Sequence, residues 1–95
     1  TLGENIADLG GLTIAYYAWK ASQESAENKE KDATSLFYSW ARVWRNQIRT
    51  DEAKRLVVID PHSPGKYRVN GVVSNMPEYY QTFQIDIPTT CLRIW

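Results

Sequence analysis

The chain has 95 residues, with 11 basic and 11 acidic side chains and a formal net charge of zero. That length suffices for one small domain with a modest core, and the balanced charge leaves no long-range field to recruit nucleic acid or an anionic membrane. No apolar run approaches the roughly 20 residues of a membrane span, and a lone cysteine, Cys91, excludes an internal disulfide framework or a CxxC metal site.

The chain opens at Thr1 with neither an initiator Met nor a basic-then-apolar signal segment, and is expected to be a piece of something longer. Helix signals begin at once. Ile6, Gly10, Ile14, Tyr17 and Ala21 form one stripe, and Leu9, Leu12, Tyr16 and Trp19 another. The pattern predicts a helix from about Leu2 to Ser22, buried on two sides. Gly10 and Gly11 each cost such a helix about 1 kcal/mol relative to Ala, which makes sense where a second backbone approaches closely.

Residues 22–32, SQESAENKEKD, carry six charges and no large apolar side chain, so they read as a solvated loop or frayed helix end. Asp32 or Thr34 can cap a second helix, in which Leu36, Phe37, Trp40, Ala41, Val43, Trp44 and Ile48 fall at helical spacing. In TDEAKRLVVID, Asp51 and Glu52 suit a helix start, whereas Val57, Val58 and Ile59 also suit a short strand; helix is favoured. DPHSPGKYR reads as a loop, with two prolines and a glycine, and VNGVVSN as extended or irregular. A last short helix is expected near Asn75, with Pro77 in its first turn and Tyr79, Tyr80 and Phe83 on its apolar face. The tail from Pro88 is expected to tuck Leu92, Ile94 and Trp95 onto the body. The fold class is mainly α. Four Trp, six Tyr and two Phe are a large apolar load for this length, and such rings seek burial.

Glu4 and Asp8 lie four apart on the first helix and therefore point the same way. Three readings are open: complementing the helix macrodipole, an acid/base pair for glycoside chemistry, or a metal ligand beside an orienter of a histidine ligand. His62 sits in a Pro-rich loop, where a solvated surface residue is the ordinary expectation.

The surrounding letters favour the third reading. GENIADLGGL closely resembles the third zinc-ligand motif, E-N-x-A-D followed by glycines, of the neprilysin and endothelin-converting-enzyme family of zinc metallopeptidases. DPHSPGKYRVNG resembles that family's D-x-H-S/A-P-x-x-x-R-x-x-G segment, with His62, Ser63, Pro64, Arg68 and Gly71 in place. The segment from Phe37 follows an F-x-x-x-A-x-x-W pattern leading to the His loop, and SNMPEYYQTF matches the short helix after it, so the resemblance spans essentially the whole chain. It implies that residues 1–95 are the helical carboxyl-terminal part of a thermolysin-like (gluzincin) catalytic domain. Carried over by position, Glu4 is the zinc ligand and Asp8 orients a ligand histidine. His62 stabilises the oxyanion, and Arg68 holds a substrate backbone carbonyl on the leaving-group side.

Two places where animal members commonly carry Cys hold Arg45 and Ile85, which suggests a bacterial member; Cys91 matches a near-terminal Cys and is either a buried free thiol or half of a bridge. The family's HExxH helix is absent from this chain, whose one histidine is His62. The resemblance therefore implies zinc as cofactor of the whole enzyme and a peptide as substrate. It also implies a partner in the upstream part of the same domain, and an extracytoplasmic setting by analogy. The chain alone is expected to hold zinc weakly if at all and to lack activity. Neither nucleic acid nor membrane contact is expected of it. The rival reading is a non-catalytic helical interaction module or a degenerate family member. Convergence of Glu4, Asp8, His62 and Arg68 on one face discriminates the two.

Overall fold

The computed structural model describes residues 2–24 and 32–88. Five helices follow in order: α1 (Leu2–Glu24), α2 (Thr34–Val43), α3 (Thr50–Ile59), α4 (Gly65–Val73) and α5 (Pro77–Phe83). Among the described residues there is no strand, and no helix is long and apolar enough to cross a membrane.

The core forms where α1 packs on α4 and α2 on α5. Leu9 and Leu12 of α1, Phe37 of α2, Val72 and Val73 at the end of α4, and Met76 just before α5 are buried together, with Tyr16, Trp19 and Trp40 packed around them. Of the two apolar stripes on α1, only the Leu9–Leu12–Tyr16–Trp19 stripe is used in this way. Ile6, Ile14 and Tyr17 of the other are 38%, 71% and 50% exposed, which corrects the expectation of burial on two sides. Nor, among the described residues, does another backbone approach the paired glycines: beyond its own helix, a Cβ on Gly10 or Gly11 would meet no described atom within 4 Å.

Capping of α2 falls to Asp32, whose Oδ1 accepts the Thr34 backbone N–H at 3.1 Å while Ala33 occupies the cap position itself. The helix stops at Val43, short of the expected Ile48. Apolar periodicity carries no stop signal there, and the end is tertiary: the start of α4 sits against the Trp44 carbonyl. Helix α3 forms as favoured, with Asp51 and Glu52 in its first turn and Arg55 Nε donating to Glu52 at 3.0 Å. Pro77 opens α5, and Gln84 closes it in the left-handed conformation at φ 55°. The expected packing of Leu92, Ile94 and Trp95 lies outside the described residues.

The largest departure is α4, where loop and extended chain were expected. Pro64 ends the loop, its carbonyl accepting the N–H groups of Tyr67 and Arg68 at 2.9 and 3.1 Å. Valine in a helix costs well under 1 kcal/mol relative to Ala, whereas burying one gains about 1.5–3 kcal/mol. Val72 and Val73, 2% and 8% exposed, collect that gain against α1, so tertiary packing overrides their extended preference. Gly65 is required by close approach: a Cβ there would stand 2.7 Å from the Trp44 carbonyl oxygen. Because that neighbour is backbone, Gly65→Ala is expected to cost about 1–3 kcal/mol by overpacking. A thermal melt of G65A matching wild type would contradict the contact.

Candidate functional site

Two segments some 60 residues apart in sequence meet along one face of α1. Glu4, Asn5 and Asp8 all lie on this face, and each takes a partner from the loop and helix that begin at Asp60. Glu4 Oε2 lies 3.1 Å from His62 Nε2. Ser63 Oγ donates to Asn5 Oδ1 at 2.8 Å. Arg68 donates through Nε to Asp8 Oδ2 at 2.7 Å and through Nη2 to Asp8 Oδ1 at 2.8 Å. All four candidate residues, Glu4, Asp8, His62 and Arg68, thus converge, and they do so in pairs.

The two pairs differ in setting. Asp8 and Arg68 are well shielded, with side chains 13% and 15% exposed, and the fork geometry is the strong bidentate kind. The guanidinium is stacked 3.7 Å from the centroid of the Trp44 ring, and the Arg68 carbonyl accepts the Trp40 indole N–H at 3.1 Å. The hydrogen bonds that Arg68 donates to the Asp8 carboxylate hold its guanidinium charged even more firmly than usual, outweighing its partial burial. Of the five N–H donors on a guanidinium, Asp8 takes two and leaves three for another acceptor. Each Asp8 oxygen likewise keeps a lone pair beyond the one Arg68 uses.

Glu4 and His62 are about half exposed, and the imidazole is tethered from its other side. Asp60 Oδ1 accepts the His62 backbone N–H at 2.9 Å and faces Nδ1 at 3.1 Å, which fixes the ring plane and leaves Nε2 turned toward Glu4. The His62 backbone N–H, and then its ring, hold the Asp60 carboxyl below the usual carboxylate range. A carboxyl depressed in the folded state stabilises it above the unfolded value of about 4, and this contribution is lost as pH falls through the lower folded value. An NMR titration is accordingly expected to put the Asp60 midpoint below that of an ordinary Asp. A midpoint at or above the ordinary value would argue against the tether.

Sequence reasoning assigned no role to Asp60, Trp44 or the Asn5–Ser63 pair. The Asp two residues before His62 was a legible signal for the first; nothing in the spacing linked Trp44 to Arg68. His62 and Arg68 open onto a cleft of about 350 Å3, walled by Trp44 and Pro64 and by Leu56 and Val57 of α3. As to metal, Glu4 offers a half-exposed carboxylate, a suitable single oxygen donor for zinc. Among the described residues no group of three or more His, Cys, Asp or Glu is arranged to hold an ion. Such a carboxylate would suit one corner of a zinc site, and the described residues do not complete one.

The chain is 34% identical to a neutral endopeptidase of Lactococcus lactis over 101 residues, covering 99% of the chain and 15% of that relative. It is 42% identical to Neprilysin-3 of Drosophila melanogaster over 112 residues, covering all of the chain and 14% of the relative. Against endothelin-converting enzyme 1 of Cavia porcellus it is 39% identical over 92 residues, covering 88% of the chain and 12% of the relative. The helical fold and the paired segments thus fall within a class of peptidases, of which this chain spans roughly one seventh of the length. The family model described as Peptidase family M13 matches residues 1–91, and the chain belongs to that family. No solved structure matches it.

Proposed function

We propose that residues 1–95 form the carboxyl-terminal part of the catalytic domain of a zinc metalloendopeptidase, inactive without the upstream part that carries HExxH. The observation supporting this reading most is the convergence of Glu4, Asp8, His62 and Arg68 from two distant segments onto one face beside a cleft. An interaction module has no need to aim two acids, an imidazole and a guanidinium at one place.

In this reading Glu4 holds the metal through its carboxylate. Zinc, when bound, acts as a Lewis acid and lowers the pKa of its water to about 7. Asp8 accepts a hydrogen bond from a ligand histidine of the upstream part through the lone pairs Arg68 leaves open, fixing that ring's orientation. His62, held from behind by Asp60, donates a hydrogen bond from Nε2–H to the oxygen of the scissile carbonyl as negative charge develops there. This interaction is stronger in the transition state than in the ground state. Arg68, braced by Asp8 and Trp44, uses its remaining N–H groups to hold a main-chain carbonyl of the peptide.

The test is metal analysis and peptide cleavage with the full-length protein. Glu4→Gln is expected to lose both zinc and activity, and His62→Ala to keep the zinc. A Glu4→Gln protein with full zinc content would remove Glu4 from the site, and peptide cleavage that persists in a strong chelator would end the zinc reading.

A further inference from the structure

A second depression adjoins the cleft. It encloses about 470 Å3 between the end of α2 and the start of α4 and shares Trp44, Asn46, Gly65 and Lys66 with the cleft of His62 and Arg68. Its lining includes Tyr38, Ala41 and Val69, together with three cations, Arg42, Arg45 and Lys66. All three are exposed, no acid lines the depression, and none of the three forms an ion pair among the described residues. In a chain whose charges balance overall, this is a local excess of three positive charges on an apolar floor. Such a surface suits a carboxylate on a short apolar stem: guanidinium forks match its oxygens, and the floor takes its methylenes.

Position adds to the chemistry. Trp44 belongs to both depressions and its ring stacks on Arg68, so a peptide lying along Arg68 toward α2 passes onto the cationic rim. Resting on the peptidase reading above, in which Arg68 holds the leaving-group side of the peptide, we infer that Arg42, Arg45 and Lys66 form a subsite for an acidic side chain of the substrate downstream of the cleaved bond.

The experiment uses the full-length, zinc-loaded protein and quenched fluorescent peptides with Glu, Gln or Lys placed at successive downstream positions. At one position Glu is expected to raise kcat/KM about three- to tenfold over Gln, a modest gain because exposed charges are screened, and added salt shrinks it. The charge-reversed variant R42E/R45E/K66E is expected to favour Lys there, and R42Q/R45Q/K66Q, the milder change, to lose the preference without gaining a new one. Equal kcat/KM for the three residues at every position in an active enzyme overturns the subsite and leaves the peptidase reading standing. If no peptide is cleaved, the peptidase reading fails, and binding of the same peptides by fluorescence anisotropy decides the subsite. Glu-selective binding that R42Q/R45Q/K66Q abolishes upholds the three cations as a site for an acidic side chain of a bound peptide, without a cleaved bond to place it by, and indifference to Glu overturns it. A wild type indifferent to Glu whose melting temperature drops on charge reversal assigns the rim to an acidic segment of the protein itself, which also overturns the substrate subsite.

Discussion

Replacing His62 with alanine in the full-length protein is expected to lower kcat about 10²–10³-fold, the usual effect of deleting one hydrogen-bond donor to a developing oxyanion. KM and zinc content are expected to change little. The reasoning rests on the ring's mooring: Asp60 holds the backbone N–H and Nδ1, and the edge bearing Nε2 faces the Glu4 carboxylate at 3.1 Å. Alanine keeps the backbone N–H bond to Asp60 and deletes the imidazole alone, so the loop retains its course. Steady-state kinetics with metal analysis separate the outcomes. An unchanged kcat would remove His62 from the chemistry, and a lost metal would make it a ligand instead.

The second large effect belongs to Asp8 and Arg68. Removing one partner of a shielded, bidentate pair leaves the other charged and poorly solvated, at a cost of about 3 kcal/mol or more. Both D8A and R68A are therefore expected to unfold at markedly lower denaturant. The double variant D8A/R68A is expected to be far less destabilised than the sum, because neither charge is then stranded. Additive losses would show that the pair is not coupled. In the full-length protein R68A is further expected to raise KM more than it lowers kcat, since in the proposed reading the guanidinium would grip substrate main chain in both ground and transition states. A KM that stays put would argue against that grip, whatever the stability data show.

The helical class, four of the helices to within a few residues of their starts, and the convergence of Glu4, Asp8, His62 and Arg68 were legible in the sequence for different reasons. Amphipathic periodicity marked α1 and α2, Pro77 marked α5, and the acids at Asp51 and Glu52 resolved α3 against its β-branched end. The four candidate residues came from motif resemblance, because no local pattern singles out a histidine in a Pro-rich loop. What escaped was set by tertiary contact. The valines of α4 become helical because α1 offers them burial, and α2 stops where Gly65 meets the Trp44 carbonyl. The stacking of Trp44 on Arg68 joins the residue that follows α2 to one on α4, a pairing that neither helix's own periodicity contains.

The paired contacts along α1 also act as a vernier. Glu4 and Asp8 are one helical turn apart, and their partners are chemically unlike: an exposed imidazole for one, a shielded guanidinium for the other. Suppose α1 slid by one turn, about 5.4 Å, along its groove. Asp8 would then face His62, a tolerable exchange of one carboxylate for another. Leu12, however, would leave the core, where it is 3% exposed, and come to lie against Arg68. The sheltered guanidinium would lose both of its acceptors at once. The native setting of the helix satisfies both rungs and the core together, so the contacts that bring the four side chains to one face also disfavour that misalignment.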